Sequence, residues 1–405
     1  MRRSVLHRAF PVALAGVIVM AIGGGAGAAT FPAPTHVHID RVGQRSIRLV
    51  WKVRPHARSY SVWKSGVRVG VTVATSHTFT RLACGHSYRL GVRARYRLGH
   101  SATVWVRAQT SVCPPSVFVS PVGSDSAPCT ASSPCLSFDR AYQVAHPGQV
   151  VQVAAGTYPS QTLDPPGKPA GSVPVVFRPA PAASISVGEI RTNGINAARF
   201  TGMTIDDYYV ATGSDNITFL GDTTHEFFIR SSSHISVIGG SVGNVCDATS
   251  ATVGAAYQSS TPSSHILINA VRFHDMTRAC DPSGHPECLF IQEVVGITIE
   301  NSSFQRCDVF DVYFHRIGIP GNASNVVFRG NVLAAATGGG FYSMLLRADA
   351  GETLSNYLIS HNQFQQNLVV EDAAGSSVTN FRFCQNTGTG TLRVTNPVPG
   401  ISRTC

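Results

Sequence analysis

Several features are scarce in this 405-residue sequence, and each scarcity argues against a class of protein. Residues 116–405 contain one lysine, Lys168, near their start, which argues against catalysis by a lysine base in the body of that region. Residues 31–113 contain one acidic residue, Asp40. The ten cysteines include no CxxC pair, so a zinc site is a weaker interpretation than disulfides. After the N-terminal segment, no apolar run approaches membrane-spanning length.

The first 28 residues have the pattern of a signal peptide. Arg2, Arg3 and Arg8 precede an apolar run, and Ala26-Gly27-Ala28 fits a small-x-small cleavage site. The Arg2-Arg3 pair leaves a twin-arginine export route open. We therefore expect a secreted or cell-surface protein without a membrane span.

Ten cysteines in an exported chain predict disulfides. We expect the pairs Cys84–Cys113, Cys129–Cys135 and Cys384–Cys405. The other four pair among themselves, and sequence spacing does not choose among their three possible connectivities. These four are Cys246, Cys280, Cys288 and Cys307.

Charge divides the chain into two parts. Residues 31–113 hold 14 Lys and Arg against one acid, a net charge of +13, whereas residues 114–405 hold 15 against 21 acids, a net charge of −6. Such a change in charge predicts a domain boundary. We place an N-terminal domain at 31–113 and a second domain at 116–405.

A sequence pattern repeats through the second domain. A small polar residue precedes an apolar-x-apolar triplet, and another apolar residue follows seven positions after the triplet begins. Triplets start at 266, 297, 326 and 357, which are spaced 31, 29 and 31 residues apart. Short strands at this period cannot bury an apolar face alone, so they predict stacked coils of a parallel β-helix. The polar residues before the strands should stack as turn residues (Asn216, His234, His265, Asn325, Asn356 and Asn380).

The start of the second domain carries a denser motif. Phe138, Ala141, Tyr142 and Ala145 have helical spacing after a potential N-cap, Ser137, and the first strand is expected at 149–153. Together with Val119-Ser120-Pro121-Val122-Gly123-Ser124-Asp125 and Ala155-Gly156-Thr157-Tyr158, this block resembles the N-terminal coil of secreted right-handed parallel β-helix proteins of the pectate-lyase-like superfamily. The resemblance extends over roughly 116–405, and the later coils match by period and residue class. It implies a carbohydrate-facing groove along one side of the solenoid.

The N-terminal domain has the strand spacing of a small antiparallel β-sandwich. The segments around Trp51 and Tyr88-x-Leu90-x-Val92-x-Ala94 resemble a fibronectin type III domain, with Tyr88 in the position of the tyrosine corner. Cys84 and Cys113 depart from the usual disulfide-free pattern of that family. The arginine-rich strands suit either a basic spacer or a binder of anionic surface polymer, and no motif for nucleic acid is present.

A second strand can be traced in each central coil, and it ends on a polar residue. Stacking of these strands would place Gln292, His315, Arg347 and Glu371 on successive coils. His315 would act as base, and Arg347 or Arg316 would hold the carboxylate of a uronate, in lyase or epimerase chemistry. Glu287 with Asp311 is the corresponding candidate pair for glycoside hydrolysis.

Other signals of known β-helix enzymes are missing. The clustered aspartates, Gly-His-Gly and Arg-x-Lys of polygalacturonases have no match, and neither do the calcium aspartates and arginine motif of pectate lyases. Asp206-Asp207 is interpreted as a solvated turn, so a calcium ion has no support and no cofactor is expected. His285-Pro286-Glu287-Cys288 can also be read as a loop bounded by a disulfide.

The sequence thus predicts an all-β, secreted protein of two domains, expected to be monomeric. Its second domain would bind or process an extracellular, acidic polysaccharide or cell-surface glycan, with lyase or epimerase chemistry ahead of hydrolysis. The alternative is a non-catalytic structural or adhesion protein of the cell surface or matrix.

Overall fold

A computed structural model describes residues 31–111, 113–246, 251–255, 259, 261–315, 323–334, 342–372, 376–395 and 400–405. The segment expected to be a signal peptide lies outside these residues. Contacts divide the chain into two compact units, and the boundary in the sequence falls between Cys113 and Pro114. In the part of the chain that the structure describes, no helix is both long and apolar enough to cross a membrane.

The N-terminal unit is a fibronectin type III-like β-sandwich. One sheet has the order β1–β2–β5, and in the other β3 and β8 flank β6, with β4 outside β3 and the short β7 also on β6. All pairings are antiparallel. The strands are β1 (Thr35–Val42), β2 (Ile47–Lys52), β3 (Ser59–Lys64), β4 (Val67–Thr72), β5 (Ser76–Phe79), β6 (Ser87–Tyr96), β7 (Gly99–His100) and β8 (Val104–Gln109).

The sandwich core follows from the two-residue alternation of its strands. Ile47, Leu49 and Trp51 on β2 are buried and pack in one cluster with Val62 and Leu90 from the other sheet. The Tyr88 hydroxyl accepts a hydrogen bond from the backbone N–H of Ala83 at 2.8 Å, the contact that defines a tyrosine corner. The interpretation of Tyr88 as the corner residue is confirmed, and Trp51 is a core residue.

The second unit is a right-handed parallel β-helix preceded by a short helix. Its first half contains β9 (Val117–Val119), α1 (Phe138–Val144), β10 (Val150–Val153), β11 (Gly156–Tyr158), β12 (Gln161–Leu163), β13 (Val175–Pro179), β14 (Ile185–Val187), β15 (Ile190–Thr192), β16 (Asn196–Thr201), β17 (Thr204–Val210), β18 (Asp215–Leu220), β19 (Thr223–Arg230), β20 (Ser233–Ile238), β21 (Ser241–Val245), β22 (Thr252–Gly254), β23 (Ser263–Asn269) and β24 (Arg272–Met276). The second half contains β25 (Leu289–Ile291), β26 (Val294–Glu300), β27 (Ser303–Cys307), β28 (Phe310–Phe314), β29 (Ser324–Arg329), β30 (Val332–Leu333), β31 (Tyr342–Ala348), β32 (Thr353–Ser360), β33 (Gln363–Phe364), β34 (Leu368–Asp372), β35 (Ser377–Cys384), β36 (Thr387–Gly388), β37 (Leu392–Val394) and β38 (Ile401–Ser402).

The strands form three stacks, which we call faces. The first face has the order β9–β10–β13–β16–β18–β20–β23–β26–β29–β32–β35–β38. The second contains β24 with its neighbours β21 and β27, and the third contains β22, β25, β28, β31, β34 and β37. A complete coil such as β23–β24–β25 therefore has three strands. Parallel pairing with short crossovers gives the right-handed winding that chirality favours.

One apolar core runs through the inside of the β-helix, because each strand turns every second residue inward. Phe138, Phe177, Phe200 and Phe219 stack in sequence, one residue per layer, with ring centroids 5.1–5.2 Å apart. This spacing is close to the separation of hydrogen-bonded strands, so ring stacking and strand pairing support the same register.

Helix α1 begins where the sequence predicts. The Ser137 hydroxyl accepts from the backbone N–H of Arg140, and Phe138, Ala141 and Tyr142 are buried. The first strand is confirmed at β10, but β9 precedes it and pairs with it in parallel. The prediction missed β9 because three residues are too few to show a period.

The polar residue of each repeat adopts a left-handed backbone. Asn216, His234, His265, Asn325, Asn356 and Asn380 all have φ between 48° and 60°. The rings of His234 and His265 stack 4.6 Å apart, and Asn356 Nδ2 donates to Asn325 Oδ1 at 2.9 Å. These residues stack as predicted, although they interrupt strands of the first face instead of preceding them. Asparagine tolerates this conformation better than most residues.

A second, buried ladder joins later coils. The side-chain oxygens of Asn331 and Asn362 accept from the backbone N–H of the preceding coil, at Ser302 and Asn331 respectively, each at 2.9 Å. Their Nδ2 groups donate to Ile299 and Phe328 carbonyls. Side chains thereby satisfy backbone groups at the bend between the first and second faces, where strand pairing cannot.

All ten cysteines form disulfides. Cys84–Cys113, Cys129–Cys135 and Cys384–Cys405 pair as predicted. The undecided four form Cys246–Cys280 and Cys288–Cys307. Five disulfides fit an oxidising extracellular environment.

Candidate functional site

The third face carries a ladder of polar side chains. Strands β25, β28, β31 and β34 pair in parallel with Leu289, Val312, Met344 and Leu368 in line. Three residues further along each strand come Gln292, His315, Arg347 and Glu371, and Arg347 pairs directly with Glu371. The predicted register is therefore the register of the structure, with neighbouring members about 4.8 Å apart.

Arg230 extends this ladder through a gap left by a glycine. Arg230 pairs with Gly254, and the Arg230 Nη1 donates to Gln292 Oε1 at 3.0 Å. A Cβ on Gly254 would lie 2.6 Å from the Cβ of Gln292. The missing side chain lets residues two coils apart form a hydrogen bond.

His315 lies partly shielded on the third face. Its side chain is 16% exposed, and its Nε2 lies 3.5 Å from Asp349 Oδ2. Burial, and then the charge of Arg347, lower the pKa of His315, while Asp349 and Glu352 act in the opposite direction. The imidazole is therefore neutral at pH 7, as a general base requires.

Arg347 is the more accessible partner of His315. Its side chain is 49% exposed, and its Nε lies 3.7 Å from Asp349 Oδ1. Asp349 thus faces both His315 and Arg347. A half-exposed guanidinium next to a neutral imidazole can receive a carboxylate from solution.

Two aromatic rings, those of Phe290 and Tyr313, lie alongside the ladder, because each residue is two positions before a ladder member in the sequence. Tyr313 stacks on Phe290 with centroids 5.1 Å apart and on His315 at 5.4 Å. Burial raises the pKa of Tyr313, with Arg347 opposing that shift, so the phenol keeps its proton at neutral pH. Half-buried rings next to hydrogen-bonding side chains can support the apolar face of a sugar.

Glu287 is placed below the surface. It is 4% exposed, and its Oε1 is hydrogen-bonded to Nδ1 of His285, whose ring contacts Phe310. Its charge still acts on Tyr313, so it lies near the ladder. The loop 285–288 is bounded by the Cys288–Cys307 disulfide, as the alternative interpretation stated.

Asp311 does not reach the surface that a polysaccharide would contact. It is 2% exposed, and burial raises its pKa well above the ordinary range, against a lowering contribution from the Ser343 hydroxyl. Phe310, next to it on β28, belongs to an apolar cluster with Leu345 and Val369. Both carboxyls of the candidate pair, Glu287 and Asp311, are therefore buried, and the assignment of this pair to hydrolysis stays a prediction. The alternative clamp, Arg316, lies outside the described residues.

A depression of about 250 Å³ lies where β17, β19 and β21 run side by side, lined by Asp207, His225, Glu226 and Asn244. Asp206 and Asp207 belong to β17, so their interpretation as a turn is wrong. Burial is the largest cause that raises the pKa of Asp207. Among the described residues, no group of three or more His, Cys, Asp or Glu could hold a metal ion.

Two residues of the site were not predicted. Tyr313 and Asp349 flank His315 in space, and each lies two residues from a ladder member along the chain. The alternation of a strand puts i and i+2 on the same side, so Tyr313 could have been found from its spacing to His315. Asp349 follows the end of β31, where no period applies.

No protein-family model and no curated protein matches this chain. Among solved structures, the Yersinia enterocolitica family 28 exopolygalacturonase aligns over 92% of this chain and 99% of its own, at 13% identity and a TM-score of 0.40. FN3tt aligns over 20% of this chain and 92% of its own, at 20% identity and a TM-score of 0.19. The fn3 domain of the human collagen alpha-1(XX) chain aligns over 23% and 98%, at 20% identity and a TM-score of 0.21. At these values the similarities carry no argument about activity, and the fold rests on the strand pairing above.

Proposed function

We propose that the β-helix binds an extracellular, acidic polysaccharide along its third face and acts on uronate residues as a lyase or epimerase. The observation that carries this proposal is the juxtaposition of His315, Arg347 and Tyr313 on neighbouring coils.

Each of the three side chains suits one role in proton abstraction next to a carboxylate. Arg347 would hold the uronate carboxylate and stabilise the charge that develops on it. His315, neutral through burial, would accept the proton from the carbon next to that carboxylate. Tyr313, protonated at neutral pH, would donate to the leaving glycosidic oxygen in a lyase, or to the opposite face of the carbon in an epimerase.

Substrate binding would draw on the rest of the face. Gln292 and Arg230 supply hydrogen-bonding groups on preceding coils, and Glu371 lies on the following coil. Phe290 supplies a ring beside Tyr313. A polymer lying along the coils would meet these groups in succession.

The mature protein should be tested on a panel of polyuronates, by ultraviolet absorbance for unsaturated products and by proton exchange with deuterated solvent for epimerisation. We expect activity on at least one polymer and a loss of about 10²–10⁴-fold in His315→Ala. His146→Ala, an exposed histidine near α1, is the matched control and should keep full activity.

Activity that survives both His315→Ala and Arg347→Gln would refute these roles. Binding of a polyuronate without turnover would reduce the proposal to recognition alone. Neither binding nor turnover on any glycan would favour the scaffold alternative, a structural or adhesion protein held rigid by its ladders and disulfides.

A further inference from the structure

We propose that the N-terminal unit has its own binding surface for an anionic polysaccharide, on the outer face of the sheet formed by β3, β6 and β8. We call this surface the arginine–tryptophan face; it comprises Trp63, Arg89, Arg93, Arg95, Trp105 and Arg107. This proposal is independent of the function proposed for the β-helix.

Strand register places these side chains together. Trp63 pairs with Gly91, and Gly91 pairs with Trp105, so the two tryptophans flank a glycine in one row across the sheet. Arg89 and Arg93 lie two residues before and after Gly91, on the same side of β6. The opposite side of β6 carries Leu90 and Val92, which are fully buried in the sandwich core.

Each tryptophan ring carries an arginine. The guanidinium of Arg89 lies 4.4 Å from the ring centroid of Trp105, and that of Arg93 lies 5.0 Å from that of Trp63. A Cβ on Gly91 would come within 2.7 Å of the Trp105 ring, so glycine is what lets this ring lie down on the sheet. Cation–π stacking holds the two guanidinium groups on the rings.

The face has no internal counter-charge. Asp40 is the one acidic residue in 31–113, and its carboxylate lies 3.5 Å from Arg48, on β1 and β2 of the other sheet. Arg89 pairs directly across the strands with Arg107, an arrangement of like charges that destabilises a sheet. An external polyanion would relieve this repulsion, and charge complementarity therefore selects an anionic partner.

Two observations favour a polysaccharide over nucleic acid. The unit contains the Cys84–Cys113 disulfide, which fits an oxidising extracellular location. The guanidinium groups stacked on the two tryptophan rings also suit a polymer of sugar acids, because a guanidinium can pair with a carboxylate.

The test measures binding of the full mature chain to polygalacturonate by titration calorimetry at low ionic strength, with dextran as the neutral polymer. We expect Arg89→Gln/Arg107→Gln to weaken binding about tenfold, by removing two charge-assisted contacts. Arg41→Gln/Arg45→Gln removes the same charge outside the face and should change binding by less than about twofold. Added salt should weaken the wild type more than the first variant.

The same pair of variants in an Arg347→Gln background separates this surface from the β-helix site. Arg89→Gln/Arg107→Gln should weaken binding in that background too, whether or not Arg347→Gln has an effect alone. The proposal would be overturned if Arg89→Gln/Arg107→Gln and the control double substitution lost the same affinity, or if neither lost any. Equally tight binding of duplex DNA through the same arginines would also overturn it.

Discussion

The imidazole Nε2 of His315 lies 3.5 Å from Oδ2 of Asp349, two residues beyond the ladder member Arg347. Asp349 raises the pKa of His315 against the larger lowering effect of burial. Asp349→Asn should therefore lower the pKa of His315 further, and the imidazole should stay neutral to lower pH. Titration of the His315 ring protons by NMR measures this shift directly.

The pH dependence of activity should follow the same sign. If His315 is the base, the acidic limb of the kcat/KM profile moves to lower pH in Asp349→Asn. A pKa that rises, or an acidic limb that stays in place while the pKa moves, would contradict the assigned role.

Gly254 should be intolerant of any side chain. Gly254→Ala places a methyl group 2.6 Å from the Cβ of Gln292 and should cost about 1–3 kcal/mol of unfolding free energy through overpacking. It should also break the Arg230–Gln292 hydrogen bond. Chemical denaturation measures the cost, and Gly254→Ala/Gln292→Gly should recover part of it because the clashing Cβ is gone. A fully additive loss would argue against this contact.

The buried asparagine ladder should matter more than the exposed one. Asn362→Ala removes the acceptor for the Asn331 N–H and the donor to the Phe328 carbonyl, both buried, and should cost about 2–4 kcal/mol. Asn356→Gly keeps a residue suited to positive φ and removes two exposed side-chain hydrogen bonds, one to Asn325 and one from Asn380, so it should cost less than Asn362→Ala. Thermal and urea unfolding measure both variants. Equal losses of unfolding free energy would contradict the prediction.

Asp222 should make stability depend on pH. Burial raises its pKa from 3.8 to about 7, although the N–H groups of Met203 and Leu220 donate to its carboxyl. Between these values the folded state keeps a proton that the unfolded state releases. The contribution of Asp222 to the free energy of unfolding is therefore fully present below about pH 4. It declines as the pH rises to about 7, by up to about 4 kcal/mol.

Asp222→Asn removes this titration. Urea unfolding across pH 4–8 should show a smaller decline in the variant than in the wild type, after correction for its constant offset. An unchanged slope would mean that the carboxyl is ionised in the folded protein throughout this range.

Much of the β-helix could be predicted, because stacking repeats one physical constraint in every coil. The triplets at 266, 297, 326 and 357 lie in β23, β26, β29 and β32 of one face. The polar residue before each triplet must adopt positive φ, so the residues that tolerate it recur there. The ladder from Gln292 to Glu371 follows from the same register.

Burial at the site could not be predicted. Asp311 and Tyr313 lie two residues apart, and the sequence does not distinguish their exposure. In the structure Asp311 is buried and Tyr313 faces the ladder. Phe310, Leu345 and Val369, which belong to three different coils, form an apolar cluster in this part of the third face. Asp206 and Asp207 were misplaced for a related reason, since paired acids fit a turn as well as the outward positions of a strand.

By itself, the sequence determined the coil period, the helix at the start of the solenoid, three disulfides and the charge contrast between the two units. These depend on local preferences and on a repeat that any reader of the chain can count. Only the tertiary structure decided the pairing of the central cysteines, the burial of Glu287 and Asp311, the place of Asp349 beside His315, and the stacking of Arg89 on Trp105. Each of these depends on which residues of different strands or coils meet, and that is set by packing in three dimensions.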